Sequence, residues 1–571
     1  MNNNKRHTIL LPALFFAACW VFFFFYYPYH LYFKEQLTLF GGELAPYLQK
    51  PAFLTEWTGD YLTQFYLLTG VGCTILAAVL AVLWQGLCLS FRRLGVRENA
   101  GQAALLPVAM EAALSCHLEY PLSMTLGAII AVWAFVALTC LKNKTLFSVT
   151  AYGTAIALYI LIGAPFLLFA LLVVIKEIRT KRHWVFVSVL LATTLLIPLA
   201  ASRFYYLTFS QSFYYPIIER YLLKQPFCFL LTEAVLLFAF VLVYYRLKKQ
   251  FLYALLIIIA PLAVYRIADF KEEYNLALSS EAYFGNWKKV KSLSKQPKYN
   301  TYISAYYGNL ANAREGKLAD ELLKQYQPAC FGLFLQIGET DSYINLTASP
   351  DVLIECGDLA QAQHSAMLAM LFTPHQRSSR MVRKLASIAI ANGEYSTAEK
   401  YLRLLAKTAL HRRWADDNRQ FIAGDTIFEF SGKRAFLSRR DTLFSSNDWR
   451  PPLVNLLQSN PQNRTAADYL LCYHLLRKDL KQFKADYDDY YYPTFGAASP
   501  ELYQEALLIC LDEFGEREYA AELQKYRIHS EVLNKSHEFL SLHETAQRNE
   551  RKIRSKFDTT YWFYYFYAQL K

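Results

Sequence analysis

The sequence lacks the short motifs by which many enzymes and pumps are recognised. It contains no G-x-x-x-x-G-K-[ST] phosphate loop, no H-E-x-x-H zinc motif and no G-x-S-x-G nucleophile motif. None of its 10 cysteines forms a C-x-x-C pair, so neither a zinc site nor a disulfide framework is predicted. These absences argue against a primary ATP-driven pump built from this chain alone.

Charged residues are also scarce: they make up 19% of the 571 positions, whereas apolar residues make up 54%. The apolar excess lies before Phe270, in stretches close to the roughly 20 residues needed to cross a hydrocarbon core. One long apolar run is divided at Gly163, and one short stretch carries Glu111, so that a re-entrant segment is its alternative. We predict nine spans, at 9–25, 63–90, 103–116, 122–141, 146–160, 161–175, 184–201, 227–245 and 251–265.

Lysine and arginine fall on alternate sides of these stretches. With a cytoplasmic N-terminus, the inner loops hold 14 basic residues and the outer loops hold five. This positive-inside bias predicts a multi-pass membrane protein, and nine crossings put everything after Arg266 outside the cytoplasm. The net charge of +12 is therefore an orientation signal with some affinity for membrane lipid, and no nucleic-acid partner is predicted.

We predict an all-α fold with two domains. Residues 1–270 form a transmembrane helical domain with outer loops 26–62 and 202–226, and residues 271–571 form an extracytoplasmic helical domain. In the tail, glycines recur between amphipathic stretches at spacings of 31, 41 and 36 residues, namely Gly285, Gly316, Gly357 and Gly393. Glycine in a left-handed cap ends the first helix of a hairpin.

The tail is similar to a degenerate tetratricopeptide-type solenoid over 280–410, although its spacing departs from the 34-residue period of those repeats. Such a resemblance implies a concave face that binds protein partners. A helical bundle without repeats is the alternative. The aromatic run 561–567 is interpreted as a capping helix, with a membrane-surface anchor as its alternative.

The first outer loop carries four acidic residues, among them Glu56 and Asp60, and ends in Gly59-Asp60-Tyr-Leu-Thr-Gln64-Phe65 before the second span. This G-D-x-x-x-Q-[FY] segment and the topology resemble the C-type (GT-C) membrane glycosyltransferases, over residues 1–270. The resemblance implies transfer of a sugar or related group from a polyprenyl-phosphate donor at the outer face of a bacterial inner (plasma) membrane. The acidic pair that usually follows the first span in that family is absent here. The resemblance is compatible with a divalent metal, but the sequence assigns no cofactor.

That resemblance implies a role for individual residues. Asp60 or Glu56 would accept the proton of the acceptor hydroxyl, and Arg203 and Arg220 of the loop 202–226 would meet the donor phosphate. The alternative for the acids is a helix cap or a solvated loop. The alternative for the arginines, with the tyrosines around them, is anchoring at the membrane interface.

Glu111 is the carboxylate placed inside a predicted span. Ionisable groups at membrane depth usually face a bundle interior or a cavity. Glu111 and the nearby His117 are therefore candidates for a polar wall beneath the first outer loop, and this wall would contact the substrate. A proton path in a transporter would use Glu111 equally well. Two further functions therefore stand beside the transferase: a transporter, and a non-catalytic scaffold whose repeats bind envelope proteins.

Overall fold

The computed structural model describes residues 3–96, 98–180, 184–217, 230–245, 249–295, 298–335, 342–423, 448–497, 499–511, 516–544 and 546–568. Helices account for 80% of the structure, and these ranges contain no strand. The predicted all-α fold class is confirmed.

The chain forms two compact units, the first of which is discontinuous in sequence. Unit 1 contains Met1–Glu273, Leu371–Arg380 and Arg403–Asp416. Unit 2 contains Tyr274–Met370, Met381–Leu402 and Asp417–Lys571. Two short segments of the C-terminal half therefore fold with the apolar N-terminal half.

Unit 1 is built mainly from apolar helices, joined by a π-helical turn at Phe22–Tyr26 and by 3-10 turns at Tyr47–Gln49 and Gln64–Leu67. The helix Ala100–Leu114 lies in its core, with 13 of its 15 residues buried. Its alanines allow neighbouring backbones to approach closely. The helices up to residue 267 are Asn3–Val21, Pro28–Gln36, Phe53–Thr63, Val71–Arg93, Ala100–Leu114, Leu122–Leu138, Lys144–Ile162, Phe166–Arg179, Trp184–Phe204, Phe209–Tyr214, Leu230–Tyr244 and Lys249–Ile267.

The prediction of nine spans is wrong for the described residues. Only four helices there are long and apolar enough to cross a membrane: Val71–Arg93, Lys144–Ile162, Trp184–Phe204 and Gln250–Ile267. A fifth span is obtained if Leu10–Tyr26 and Pro28–Gln36, which meet at a bend of 73°, are counted as one.

Helix length explains most of the difference. The predicted spans at 103–116 and 122–141 correspond to helices of 15 and 17 residues, and that at 161–175 to one of 14. At 1.5 Å per residue, such helices reach about 21–26 Å, which is short of the roughly 30 Å hydrocarbon core. The first residues of the predicted span 227–245 lie outside the described residues. An apolar window in the sequence overestimates the helix because it includes apolar residues in the adjoining turns.

The predicted break in the long apolar run is confirmed. One helix ends at Ile162 and the next begins at Phe166. Gly163 between them has a φ of +68°, in the left-handed region that glycine adopts without strain.

Basic side chains gather at one end of the long helices of unit 1. The Lys176 amine lies 3.8 Å from the centre of the Phe147 ring, near the start of Lys144–Ile162. Arg179 donates a hydrogen bond to the carbonyl of Leu94, just after Val71–Arg93. Three basic helix ends, including that of Arg93, therefore belong to the same side of the bundle.

Unit 2 contains short helices throughout its described residues. Some of these helices begin or end in segments that belong to unit 1. From residue 270 onward the helices are Phe270–Tyr283, Trp287–Lys295, Tyr302–Arg314, Leu318–Glu321, Tyr343–Cys356, Leu359–Leu371, Ser379–Asn392, Tyr395–Ala406, Arg412–Ala423, Arg450–Ser459, Arg464–Leu476, Leu480–Asp486, Tyr492–Phe495, Glu501–Leu511, Glu516–Tyr526, Ser530–His543, Ala546–Phe557 and Tyr561–Tyr567.

The four predicted glycine caps are present. Gly285, Gly316, Gly357 and Gly393 have φ values of 77°, 68°, 85° and 77°, and each separates two helices. The helix after Gly316 is only four residues long, which departs from a full hairpin. A further glycine of this pattern, Gly515, lies outside the described residues.

The aromatic helix Tyr561–Tyr567 packs against other helices of unit 2. Trp562 is 3% exposed, and its indole N–H donates to the carbonyl of Glu505 over 3.1 Å. The hydroxyls of Tyr561 and Tyr564 donate to the carbonyls of Leu475 and Leu476 over 3.1 and 2.8 Å. The bonds to Leu475 and Leu476 satisfy carbonyls at the end of the helix Arg464–Leu476.

Candidate functional site

The helix Phe53–Thr63 carries both predicted acidic residues, Glu56 and Asp60, four residues apart and therefore on one face. It begins after Ala52, which adopts a left-handed φ of 65° and whose N–H donates to Ile160 O over 2.9 Å. A Cβ on Gly59 would lie 3.0 Å from the Ser123 backbone nitrogen, so glycine lets this helix approach the helix Leu122–Leu138 closely.

Each carboxylate accepts a hydrogen bond from a tyrosine. The Tyr215 hydroxyl donates to Glu56 Oε2 over 2.9 Å, and the Tyr47 hydroxyl donates to Asp60 Oδ2 over 2.8 Å. Glu56, Tyr47 and Tyr215 are buried, at 5%, 8% and 1% exposure. Each tyrosine therefore fixes one oxygen of the acid that it contacts.

His375 brings the two acids into one cluster. Its Nε2 atom lies 3.6 Å from Glu56 Oε1 and 3.5 Å from Asp60 Oδ2. Its ring also meets the Tyr47 ring edge-on at a centroid distance of 5.1 Å. A partly exposed imidazole between two carboxylates can exchange a proton with either of them.

Hydrogen bonds inside unit 1 hold the His375 segment, Leu371–Arg380, against the helix Pro28–Gln36. Ser378 Oγ donates to the carbonyl of Gln36 over 2.6 Å, and Arg380 Nη1 donates to the Gln36 side chain over 3.0 Å. His375 itself has a left-handed φ of 53°. Such a conformation costs free energy in a non-glycine residue and persists where the surroundings enforce it.

The segment Arg403–Asp416 makes a second attachment to the same helix. The imidazole of His411 lies 2.8 Å from Glu35 Oε1, and both side chains are buried. Lys407 adds an exposed ion pair with Glu43 at 2.7 Å. The buried pair is the stronger constraint, because exposed ion pairs contribute little.

Gly163 fixes the position of Tyr215. The N–H of Ala164 donates to the carbonyl of Tyr215 over 2.9 Å. A Cβ on Gly163 would lie 2.6 Å from that same carbonyl oxygen and 2.9 Å from the Cβ of Ala52. The helix break, the start of the acidic helix and Tyr215 are therefore in mutual contact.

These residues surround a cleft of about 360 Å³ in unit 1. Glu56 contributes the acidic part of its wall, while Lys50 and Arg377 contribute positive charge. Its lining is Pro46, Tyr47, Gln49, Lys50, Glu56, Leu207, Gln211, Tyr215, Leu371, Thr373, His375, Gln376 and Arg377. The cleft thus presents a proton-accepting group and cationic groups to one ligand.

Burial sets the protonation behaviour of two lining residues. It raises the pKa of the Tyr47 phenol above its ordinary value, and the negative charge of Asp60 adds to the rise. Tyr47 therefore remains a hydrogen-bond donor at physiological pH. Burial lowers the pKa of Lys50, and the charge of Glu56 opposes that fall.

Of the two predicted arginines, only Arg203 lies in the described part of the chain, and it is not part of the cleft. Arg203 is exposed at the end of Trp184–Phe204 and does not line it. Arg220 lies outside the described residues. Tyr215, which the sequence suggested as an interface anchor, is instead buried against Glu56.

Glu111 and His117 lie elsewhere in unit 1. Glu111 is 1% exposed, and it accepts hydrogen bonds from the hydroxyls of Tyr120, Thr125 and Thr232 over 2.7, 2.9 and 2.7 Å. Neither Glu111 nor His117 lines the cleft. Three short hydrogen bonds make Glu111 a connector between helices.

The residues of the acidic cluster are not arranged as metal ligands. Across the described ranges, no group of three or more His, Cys, Asp or Glu side chains is arranged to hold a metal ion. In the acidic cluster, tyrosine hydroxyls donate to both carboxylates, and the imidazole contacts both. The donor set of Glu56, Asp60 and His375 therefore does not fit a metal.

An acid-rich sequence in unit 2, Asp486-Tyr-Asp-Asp489, is structural. Asp486 is fully buried and accepts two hydrogen bonds from Arg450, at 2.9 and 2.7 Å, while His474 lies 2.8 Å away. Asp488 accepts a 2.7 Å hydrogen bond from Tyr526. The bidentate pairing with Arg450 explains the burial of Asp486 without a ligand.

Sequence comparison assigns the chain to a family. It belongs to the Family of unknown function (DUF6057), whose match covers residues 3–568. No curated protein and no solved structure matches the chain.

Proposed function

We propose that this member of the DUF6057 family is a membrane group-transfer enzyme of GT-C type. It would move a sugar from a polyprenyl-phosphate donor to an acceptor hydroxyl bound in the cleft. The observation that carries the proposal is the cluster of Glu56 and Asp60, both within 3.6 Å of His375. A buried acid beside a proton carrier is the arrangement that general base catalysis requires.

In the proposed step, the acceptor oxygen attacks the anomeric carbon of the donor. The new C–O bond forms as the bond from that carbon to the phosphate oxygen breaks, and its electron pair stays with the phosphate. Glu56, which lines the cleft, takes the acceptor proton, and His375 passes that proton onward to water. Asp60 does not line the cleft, so it is a positioning residue for His375.

The cationic side of the cleft suits the donor phosphate. Lys50 and Arg377 line it, and no basic residue of the described part of loop 202–226 does so. Arginine binds phosphate through several N–H groups, and lysine adds a point charge. We therefore assign to Lys50 and Arg377 the role that the sequence resemblance gave to Arg203 and Arg220.

Two contacts support a cleft on the extracytoplasmic side of the membrane. The helix Lys144–Ile162 has Phe147 beside Lys176 near its first turn, whereas Ile160 near its last turn accepts from Ala52 next to the acidic helix. Its ends are about 28 Å apart at 1.5 Å per residue. If the basic end is cytoplasmic, the cleft lies at the outer face.

Reconstitution tests the proposed reaction. The full-length protein in liposomes is given a panel of polyprenyl-phosphate hexoses with a mixture of glycan acceptors, and release of polyprenyl phosphate is measured by mass spectrometry. We expect release with at least one donor and its loss in Glu56→Gln. Glu43→Gln is the matched control, because Glu43 lies in the same loop but is exposed and pairs with Lys407.

Absence of release from every donor overturns the transferase. Release that persists in Glu56→Gln overturns the role of the cleft. Retention of envelope proteins by unit 2 without any donor consumption favours the scaffold instead, in which the helix pairs of 280–410 carry the function.

A further inference from the structure

Aromatic rings form a continuous stack along one side of the acidic helix. Trp57 and Tyr61 lie one turn apart with their rings nearly parallel, at 7° and a centroid distance of 6.0 Å. Phe65 contacts Tyr61 at 5.5 Å, and Phe40 contacts Trp57 at 5.4 Å. We call Phe40, Trp57, Tyr61 and Phe65 the aromatic face.

The aromatic face carries no formal charge, although the helix does. The two charged residues of Phe53–Thr63 are Glu56 and Asp60, and both turn toward Tyr215, Tyr47 and His375. Tyr61 is 43% exposed, so the outer part of the stack is open. The helix therefore separates an acidic side from an aromatic side.

The aromatic face lies where two apolar helices begin or end. Only seven residues separate Thr63 from Val71, the start of a helix long enough to cross a membrane. A Cβ on Gly70 would lie 3.2 Å from the Phe24 ring, near the end of the apolar stretch Leu10–Tyr26. Two helix ends therefore meet at one level of unit 1.

Other exposed apolar side chains mark the same level. Phe25 and Tyr26 are 66% and 64% exposed at the end of the first apolar stretch, and Leu68 is 42% exposed just before Val71. Trp20 stacks on Phe24 and donates to Thr74, which ties the two helix ends together. Aromatic rings at the ends of spans prefer the boundary between headgroups and acyl chains.

We propose that the aromatic face lies in the headgroup–acyl boundary of the bilayer that the long apolar helices cross. The continuity of this face with two helix ends, and its lack of charge, favour lipid over a protein or a saccharide as its occupant. The helix Phe53–Thr63 is then an interfacial helix that holds the cleft at the depth of lipid phosphates. This inference does not depend on catalysis in the cleft.

Fluorescence quenching by brominated lipids tests the proposal. Full-length protein is reconstituted in phosphatidylcholine vesicles with bromine at a shallow or a deep acyl position. Wild type is compared with Trp57→Phe, and the difference between the two spectra reports Trp57. We expect the emission of Trp57, obtained from this difference, to be quenched more by bromine at the shallow position than by bromine at the deep position.

Trp449→Phe is the matched control, because Trp449 belongs to unit 2 and stacks on Phe334 at 4.3 Å. Its difference spectrum is expected to be insensitive to bromine. Quenching of the Trp57 difference by aqueous acrylamide but not by bromolipid would show a face open to water and overturn the proposal. Protection of Trp57 from both quenchers would show that protein covers the aromatic face, and this result would also overturn the proposal. Circular dichroism checks that each variant is folded.

Discussion

His375 Nε2 lies within 3.6 Å of a carboxylate oxygen of Glu56, a residue far from it in the sequence. The cluster needs residues of both the helix Phe53–Thr63 and the segment Leu371–Arg380. It also makes the cleft depend on the segment Leu371–Arg380, which lies in the sequence between two stretches of unit 2.

Glu56 and Asp60 are expected to differ in importance. Glu56→Gln removes the base that lines the cleft, and we expect transfer to fall by about 100-fold or more. Asp60→Asn disturbs only the orientation of His375, for a loss of roughly tenfold. Initial rates of polyprenyl phosphate release measure both. Equal losses would contradict the division of roles.

His375→Gln is expected to lower kcat by about 100-fold while leaving KM nearly unchanged, because a proton carrier acts in the transition state rather than in binding. The control is His364→Gln, since His364 is an exposed histidine of unit 2. A variant that raises KM and preserves kcat would instead indicate a binding role for His375.

Gly163→Ala is expected to destabilise unit 1 by about 1–3 kcal/mol, because the new Cβ meets the Tyr215 carbonyl and the φ is left-handed. The control is Gly153→Ala, in the middle of Lys144–Ile162, where a Cβ meets nothing within 4 Å. That substitution should be neutral or stabilising. Thermal unfolding in detergent compares the two, and similar melting temperatures would contradict the packing argument.

Glu505 should give unit 2 a pH-dependent stability. Burial raises the pKa of Glu505 to about 8 from its ordinary value of 4.5, while one of its oxygens accepts from the N–H of Tyr561. The native state then keeps a proton that the unfolded chain releases. Stability from this group is complete below the unfolded pKa and is lost as pH rises through the native one.

Glu505→Gln keeps the acceptor but cannot titrate. We therefore expect its melting temperature to fall less than that of wild type between pH 5 and 9, a range that includes the raised pKa of Glu505. Glu501→Gln, on the exposed side of the same helix, is the control. Parallel curves for wild type and Glu505→Gln would contradict a raised pKa.

Local signals in the sequence predicted much of the secondary structure. The glycine caps at Gly357 and Gly393 depend on a conformation that glycine adopts readily, so they could be recognised without knowledge of the fold. The break at Gly163 follows from the alternation of basic residues, since one span over 146–175 would place Lys144 and Lys176 on opposite sides of the membrane. The number of spans was overestimated because hydropathy measures apolar content, while the ends of helices such as Ala100–Leu114 depend on packing in the core.

The site was predicted only in part. Glu56 and Asp60 could be found because acids are conspicuous in a loop between apolar stretches. His375 could not, since a single histidine between two helices of the tail carries no local signal. Its position follows from the contacts of Ser378 and Arg380 with Gln36, which join distant parts of the chain.

The discontinuity of unit 1 has a consequence for biosynthesis. The apolar helices can enter the bilayer early in translation, but Arg377 and His375 leave the ribosome only after a large part of unit 2 has been made. The attachment through His411 follows later still. Nascent chains stopped before Leu371 would therefore lack part of the cleft lining, and completion of the cleft must be a late event in the life of each new molecule.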